Sequence, residues 1–150
     1  MILTVDIGNT ATTMGLYTPE GTLRFRGALK TDKNKTQDQL AIDLLDMFHL
    51  YQADIGEVTG GVISSVVPPM THAMAGAIRQ LSGVRPMIVG PGVKTGMNIL
   101  AEVHNQLGAD IVASSVAALQ KYPQPIIVID MGTATTLSYL GNNTYEGCVI

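Results

Sequence analysis

The fold of this chain is decided by two stretches of sequence, V-D-I-G-N-T-A-T-T at residues 5–13 and I-D-M-G-T-A-T-T at residues 129–136. When Asn9 is left out of the first stretch, six positions are identical between the two: Asp, Gly, Thr, Ala, Thr and Thr. Each copy follows a short apolar segment and precedes another segment with strand character. A recurring unit of this kind indicates a duplicated architecture.

The residue types of the repeat suit the binding of a phosphate chain. Each strand delivers a carboxylate, Asp6 or Asp130, to its carboxyl end, where it can hold a cation. The glycine lets the backbone turn sharply and approach a ligand, and successive N–H groups in such a turn form an anion-binding nest. Threonine hydroxyls add neutral hydrogen bonds to phosphate oxygens. Two facing hairpins would grip a polyphosphate from both sides, which is the equipment that phosphoryl transfer requires.

The alternative is that Asp-x-Gly is only a turn signal. That interpretation suits one isolated copy. It does not explain why the Thr-Ala-Thr-Thr tail returns in the second copy, because turn chemistry does not require it.

Outward from the two hairpins, the pattern predicts an α/β fold with the order β-β-β-α-β-α-β-α-β-β-β, because strands and helices are interleaved. Thr36 and Gln39 form a capping-box pattern before a helix. Periodic apolar residues predict two more helices. The predicted strands cover 2–6, 12–17, 23–29, 58–67, 87–89, 126–130 and 135–140 with a last strand after Asn142-Asn143, and the predicted helices follow Thr36, begin near Met70 and cover 107–122.

Composition narrows the range of partners. The net charge is −3 and no Lys/Arg cluster offsets it, so we expect neither a nucleic-acid partner nor an anionic membrane surface. Cys148 is the single cysteine, which excludes a disulfide scaffold and fits a reducing compartment. There is no signal peptide and no apolar run of membrane-spanning length, so the expected location is cytoplasmic.

The segment G-P-G-V-K-T-G at residues 90–96 resembles two nucleotide-binding motifs without matching either. Val93 stands before Lys94, where a Walker-type phosphate loop needs glycine. The three glycines also miss the dinucleotide fingerprint by one position. Both similarities are interpreted as accidental.

Asp110 is a candidate general base. It lies in the first turn of the predicted helix 107–122, where the helix dipole alone favours a carboxylate. However, Val112, Val116 and Leu119 take the core face, whereas Asp110 shares its side with Ser114 and Ala117. A carboxylate on a face of small residues is placed to look into a cleft, and a kinase needs such a group to accept the hydroxyl proton.

With these features in place, the chain resembles the type III pantothenate kinases of the actin/hexokinase-like superfamily. The resemblance covers essentially the whole chain. Five segments come in the order and spacing of that family: D-I-G-N-T at 6–10, I-S-S-V-V-P at 63–68, G-P-G-V-K-T-G at 90–96, G-A-D at 108–110 and I-D-M-G-T-A-T-T at 129–136.

The resemblance implies transfer of the γ-phosphate of ATP to pantothenate, giving 4'-phosphopantothenate in the first step of coenzyme A biosynthesis. It implies an actin-like ATPase fold of two ribonuclease-H-like domains, the first at 1–122 and the opening strands of the second at 123–150. It also implies a homodimer, Mg²⁺ bound with ATP, and a monovalent cation, K⁺ or NH₄⁺.

The resemblance further assigns site residues by motif match. Asp110 would be the catalytic base, Asp6 would lie near Mg²⁺, and Asp130 would hold the monovalent cation. The residues expected to bind ATP and its phosphates are Asp6, Ile7, Gly8, Asn9, Thr10, Ala11, Thr12, Thr13, Gly132 and Thr133. The residues expected to bind pantothenate are Lys94, Thr95, Gly96, Gly108, Ala109, Asp110 and Ile111.

Two departures from the family pattern keep alternatives open. The family typically reads Gly-Ala-Asp-Arg where this chain has Ile111, and isoleucine cannot form a bidentate pair with the pantothenate carboxylate. The chain is also shorter than family members, so we expect its last three strands to expose an apolar face and the 150-residue form to bind ATP poorly. The alternatives are another small-molecule kinase of the superfamily or a non-catalytic regulatory relative.

Overall fold

The computed structural model describes residues 1–90, 93–100 and 107–150, so Pro91 and Gly92 of the glycine-rich segment lie outside the described residues. The chain forms two compact units, Met1–Ile88 and Val89–Ile150. A five-stranded sheet belongs to the first unit and a four-stranded sheet to the second, with helices in both. The predicted α/β class is therefore confirmed.

The first unit begins with an antiparallel meander and continues with two parallel strands joined by helices. Its sheet has the order β3-β2-β1-β4-β5, in which β1 pairs antiparallel with β2 and parallel with β4. Its elements are β1 Ile2–Ile7, β2 Ala11–Tyr17, β3 Leu23–Lys30, α1 Gln37–Leu50, a 3-10 turn Ile55–Glu57, β4 Gly60–Ser65, α2 Pro68–Ser82 and β5 Met87–Ile88.

Local sequence signals set the ends of the two helices. The predicted capping box is present: the Gln39 N–H donates to Thr36 Oγ1 (3.3 Å) and the Thr36 N–H donates to Gln39 Oε1 (2.9 Å). Both bonds satisfy N–H groups that a helix start leaves without partners. Helix α2 starts at Pro68, whose missing N–H costs nothing there, and ends at Gly83 in the left-handed region (φ 75°).

The two helices cover one face of the sheet. Alternating residues of β1, namely Leu3, Val5 and Ile7, point into the core and are buried. The predicted helical stripes supply the opposite wall, since Leu40, Leu44, Met47 and Phe48 of α1 and Met70, Met74 and Ile78 of α2 are buried against it. Tyr51 is instead exposed just beyond α1, and its ring stacks on Phe25 with centroids 4.7 Å apart.

Gly27 of β3 leaves room for side chains of α1 and of the residue beyond it. A Cβ added at Gly27 would lie 2.0 Å from Met47 Cε and 3.1 Å from the Tyr51 ring. A larger residue at this position would therefore require the Met47 side chain to adopt another conformation.

The second unit contains one helix and a second antiparallel meander. Its elements are β6 Asn98–Ile99, α3 Ala109–Lys121, β7 Ile126–Met131, β8 Thr135–Gly141 and β9 Thr144–Val149. The sheet order is β6-β9-β8-β7, and Val112, Val116 and Leu119 of α3 pack on the cluster of Met97, Leu140 and Tyr145 as predicted.

Two strand predictions differ from the structure. The predicted strand 58–67 is shortened to Gly60–Ser65, because a 3-10 turn precedes it and Val67 already serves as the N-cap of α2. Residues 90–98 are predicted as a glycine-rich loop, but Asn98 and the following Ile99 pair with β9 in parallel register. Such a short edge strand is set by its partner and has no pattern of its own.

The division into units also falls earlier than the predicted domain boundary at 122/123. Helix α3 packs on β7 and β8, so contacts assign it to the second unit. The domain limits 1–122 and 123–150 concern correspondence with a repeated ribonuclease-H-like domain, and they stay a prediction.

Candidate active site

The first repeated segment forms the turn between β1 and β2. Asp6 pairs in register with Thr13 and Ile7 with Thr12, so four residues separate the last pair. The Gly8 N–H donates to the Ala11 carbonyl at 3.0 Å and closes the turn. Asp6 is exposed at the carboxyl end of its strand, as the sequence predicted.

The second repeated segment forms an equivalent turn between β7 and β8. Asp130 pairs with Thr136 and Met131 with Thr135. The Gly132 N–H donates to the Ala134 carbonyl at 3.2 Å, which is the same closing bond between the same residue types. The register therefore matches the alignment of the two sequences, and Asn9 is the one additional turn residue of the first copy.

The turn between β1 and β2 is stabilised by Thr31, a residue that the sequence did not single out. Thr31, one residue beyond β3, donates its hydroxyl to the Gly8 carbonyl (2.8 Å) and its N–H to the Thr10 carbonyl (2.9 Å). The Thr12 hydroxyl lies 2.9 Å from Thr31 Oγ1. In the sequence, Thr31 is simply a threonine that follows a strand, and this pattern is too common to predict a role in the turn.

The residues predicted to bind phosphate fall into two groups by exposure. Asp6, Asn9, Thr10 and Ala11 are exposed and Gly8 and Thr13 are half-buried, whereas Ile7 and Thr12 are buried. Ile7 belongs to the core, and the Thr12 hydroxyl is bonded to Thr31. These two side chains therefore support the turn from inside.

Two further polar residues lie beside the first turn. Lys33 Nζ lies 3.5 Å from Asn9 Oδ1 and brings a positive charge to the exposed side of the turn. Ser64 of β4 pairs in parallel register with Asp6, which places both side chains on the same face of the sheet. Ser64 is buried, and its hydroxyl has no hydrogen-bond partner in the described part of the chain.

Asp110 lies in the first turn of α3, as predicted. Its Oδ1 accepts a hydrogen bond from the Ile111 N–H at 2.8 Å, and Ser114 Oγ donates to the Ile111 carbonyl at 3.1 Å. The helix has Gly108 as its N-cap with no side-chain cap, so the Asp110 carboxylate serves the N-terminal N–H groups. Asp110 is half-buried, on the side of α3 that also holds Ser114 and the exposed Ala117.

The isoleucine at position 111, where the family typically has arginine, is explained by its packing. Its side chain packs against the core cluster of Met97, Leu140 and Tyr145. An arginine side chain would be long enough to leave this cluster, but isoleucine remains in it. The position therefore contributes apolar packing in this chain and supplies no charge.

Thr95 and Gly96 border a cavity of about 210 Å³ in the second unit. The cavity is lined by Thr95, Gly96, Met97, Val116, Leu119, Gln120 and Asn143. Asn143 Nδ2 donates to the Gly96 carbonyl at 2.8 Å, which fixes this wall. Val116 lies six positions after Asp110, which at about 1.5 Å per residue is roughly 9 Å along the helix. The structure thus places Thr95 and Gly96 beside the later turns of α3, away from Gly108–Ile111.

The two candidate cation ligands belong to different units, Asp6 to the first and Asp130 to the second. Across the described ranges, no group of three or more His, Cys, Asp or Glu side chains could hold a metal by itself. Magnesium in kinases is commonly held by one or two carboxylates together with the phosphates of the nucleotide. A single exposed Asp6 beside the turn that the sequence predicts to bind phosphate is compatible with that mode of binding.

Buried Tyr145 is the one strongly perturbed acid of the second unit among the described residues. Burial, with a hydrogen bond to Cys148, raises the pKa of Tyr145 to about 12. Its hydroxyl lies 3.2 Å from Ser138 Oγ inside the core. Tyr145 is thus a packing residue and takes no part in the site.

None of the described helices combines the length and the apolar character needed to span a membrane.

Comparison with solved structures supports the fold. A reductive activator for a corrinoid, iron-sulfur protein superposes with a TM-score of 0.62 at 12% identity, covering 94% of this chain and 29% of the other. A Sinorhizobium meliloti protein described as a 2-dehydro-3-deoxygalactonokinase gives 0.56 at 11% identity, covering 99% and 52%. At these identities the likeness concerns the fold alone, a ribonuclease-H-like domain followed by the start of a second.

Comparison of sequences is more specific. The type III pantothenate kinase from Listeria innocua is 40% identical over 151 residues, covering 100% of this chain and 58% of the relative. The one from Halalkalibacterium halodurans is 41% identical, covering 100% and 59%. The chain thus spans less than two thirds of the length of these relatives. The family model of the type III pantothenate kinases matches residues 2–150, and the chain belongs to that family.

Proposed function

We propose that this chain carries the phosphate-binding turns and the catalytic base of an enzyme that phosphorylates pantothenate with ATP, giving 4'-phosphopantothenate for coenzyme A synthesis. The observation that carries the proposal is the repeated turn. The two Asp-x-Gly turns share the same Asp–Thr strand pairing and the same closing bond from a glycine N–H to an alanine carbonyl. They occur within a chain whose family match extends over residues 2–150.

The residues divide the chemical work. Within the range Asp6 to Thr13 the exposed turn residues, together with Gly132 and Thr133, bind the phosphates through backbone N–H groups and hydroxyls, while Ile7 and Thr12 support the turn from inside. Asp110 accepts the proton of the attacking hydroxyl, and Gly108 to Ile111 with Lys94 to Gly96 bind pantothenate. Phosphoryl transfer needs little covalent chemistry from the protein, so positioning by these groups is the main contribution.

The proposal includes two cations, a homodimer and a cytoplasmic location. Asp6 would hold Mg²⁺ and Asp130 a monovalent cation, K⁺ or NH₄⁺. Bound to ATP, the divalent ion neutralises charge that develops on the phosphates during transfer. These statements are supported by the family membership and by the exposure of both carboxylates.

A second candidate is a kinase of the same superfamily that acts on a different alcohol. Ile111 favours it, because the side chain is committed to the core cluster and leaves no guanidinium for a substrate carboxylate. A pantothenate analogue with an alcohol in place of the carboxylate separates the two candidates. Equal kcat/KM for both compounds would favour the second.

The test uses a chimera of residues 1–150 followed by the C-terminal part of the Listeria innocua relative beyond the aligned region. We expect pantothenate-dependent ADP formation from the chimera and little from the 150-residue chain. Asp110→Asn should lower kcat by about 10²- to 10⁴-fold, the usual contribution of general base catalysis.

The matched control is Asp38→Asn. Asp38 is also the acidic residue in the first turn of a helix, in this case α1. If Asp110 serves only the helix dipole, the two variants will behave alike in the kinase assay. Full turnover by the chimera carrying Asp110→Asn would overturn the proposed role of this residue, whereas inactivity of the unsubstituted chimera would count against the function itself.

A further inference from the structure

We propose that Thr31 is a positioning residue that orients the backbone N–H groups of the first phosphate-binding turn. The inference rests on the proposed function, because it assigns a role within the same site. It concerns a residue outside the turn and outside every motif on which the family resemblance depends.

The Thr12 and Thr31 hydroxyls form hydrogen bonds in a fixed direction. The single hydroxyl proton of Thr31 is donated to the Gly8 carbonyl at 2.8 Å. Thr31 must therefore accept in its 2.9 Å contact with Thr12, whose hydroxyl is the donor. The result is a directed chain from the Thr12 hydroxyl through the Thr31 hydroxyl to the Gly8 carbonyl. Bonds in such a chain polarise and strengthen one another.

Both threonines of this hydrogen-bonded chain are buried. Thr12 is 2% exposed and Thr31 is 8% exposed, so water does not replace either hydroxyl if it is removed. The Gly8 carbonyl is part-buried, and loss of its buried donor leaves it with an unmet hydrogen bond that costs free energy in its present orientation. Loss of the Thr31 hydroxyl would therefore release the Gly8–Asn9 peptide group from its present orientation.

The bonds made by Thr31 also fix the direction of two backbone N–H groups in the turn. In a planar trans peptide group, the N–H points opposite to the C=O. The Gly8 and Thr10 carbonyls both point at Thr31, one toward its hydroxyl and the other toward its N–H. The N–H groups of Asn9 and Ala11 consequently point away from Thr31. Both N–H groups therefore lie on the side of the turn opposite Thr31, where each can donate to an oxygen of the phosphate chain, and we refer to this pair of donors as the nest.

A nest of this kind is effective because it is oriented before the ligand arrives. Preorganised donors lose no orientation energy when the phosphate binds. Thr31 supplies this preorganisation from behind and does not touch the ligand. It should therefore affect the affinity for phosphate groups without affecting the binding of the alcohol substrate.

The test compares Thr31→Val, which keeps the shape and the backbone N–H, with Thr31→Ser, which keeps the hydroxyl. Binding of MgATP and of tripolyphosphate to the chimera of residues 1–150 with the C-terminal part of the Listeria innocua relative is followed by NMR titration of backbone amides. We expect Thr31→Val to raise Kd for both ligands by about tenfold, equivalent to ~1.4 kcal/mol. Thr31→Ser should stay within about twofold, since its hydroxyl can make the same bond.

The matched control is Thr4→Val. Thr4 Oγ1 donates to the Gly15 carbonyl at 3.2 Å in the same hairpin, at the end away from the turn. This variant also removes one side-chain-to-carbonyl bond from the β1–β2 pair, but it leaves the nest intact. We expect its Kd for MgATP to equal that of the unsubstituted chimera.

A readout without ligand keeps the inference separate from the proposed function. In the free chain, Thr31→Val should speed hydrogen exchange of the Gly8 amide, whose bond to the Ala11 carbonyl (3.0 Å) closes the turn, whereas Thr31→Ser and Thr4→Val should not. If the unsubstituted chimera binds neither MgATP nor tripolyphosphate, the proposed function fails. If it binds them and Thr31→Val has the same Kd, or merely a lower melting temperature, the positioning role of Thr31 is wrong.

Discussion

Ser115 is a single residue whose chemistry conflicts with its surroundings. It is fully buried on α3, and its hydroxyl has no hydrogen-bond partner in the part of the chain that the structure describes. Its neighbour Ser114 instead donates to the Ile111 carbonyl. A buried hydroxyl without a partner costs free energy because it has lost its bonds to water.

We therefore expect Ser115→Ala to raise the free energy of unfolding. Ser114→Ala is the control, because both variants gain the same helix propensity but only Ser115→Ala removes an unsatisfied buried group. The difference between the two should be roughly 1–3 kcal/mol in favour of Ser115→Ala. Urea unfolding of the two variants measures it, and a Ser115→Ala variant less stable than Ser114→Ala would show that the hydroxyl is satisfied in solution.

At the scale of elements, helix α1 depends on its N-terminal cap. The reciprocal bonds between Thr36 and Gln39 are made at an exposed helix start, so they can be removed without disturbing the core. The same helix supplies Leu40, Leu44 and Phe48 to the wall that covers β1, the strand that carries Asp6. Stability of α1 is thereby linked to the position of the first turn.

Thr36→Ala should lower the free energy of unfolding by about 1 kcal/mol, the usual effect of losing a threonine cap. Thr36→Ser keeps the capping oxygen and should have little effect. Thermal unfolding followed by circular dichroism is the measurement. Equal melting temperatures for the alanine and serine variants would indicate that the capping bonds contribute nothing in water.

At the scale of the whole molecule, the two units bury equivalent faces to different extents. Alignment of Asp6 with Asp130 makes Leu3, Val5 and Ile7 equivalent to Ile127, Ile129 and Met131. The first three are covered by α1 and α2, whereas the second three are 64%, 61% and 83% exposed in the described structure. Leu137 and Tyr139 extend this apolar face across β8. The predicted apolar exposure of the last strands is confirmed.

An exposed apolar sheet face promotes association between molecules. We expect the 150-residue chain to self-associate with rising concentration in sedimentation velocity, and the double variant Ile127→Ser/Ile129→Ser to remain smaller. Ile42→Ser on α1, which removes another exposed isoleucine (59%), should not change association. Identical sedimentation of all three chains would show that this face is not the cause.

The sequence by itself determined the α/β class, the helical stripes, the capping box and the equivalence of the two turns. These features depend on neighbouring residues, and local periodicity, capping and turn chemistry record them directly. The positions of Asp6 and Asp130 were likewise predictable, because each is the penultimate residue of a strand that leads into a glycine turn.

The hydrogen bonds that stabilise the β1–β2 turn, and the exposure of its side chains to a ligand, depend on tertiary contacts. Thr31 meets Gly8 across 23 positions of sequence, and Thr12 is directed inward because it faces that residue. The pairing of β6 with β9, the burial of Ser64 and the packing of Ile111 are decided in the same way. Each depends on a partner from a distant segment, and the identity of that partner is fixed by sheet register and packing, which no local pattern encodes.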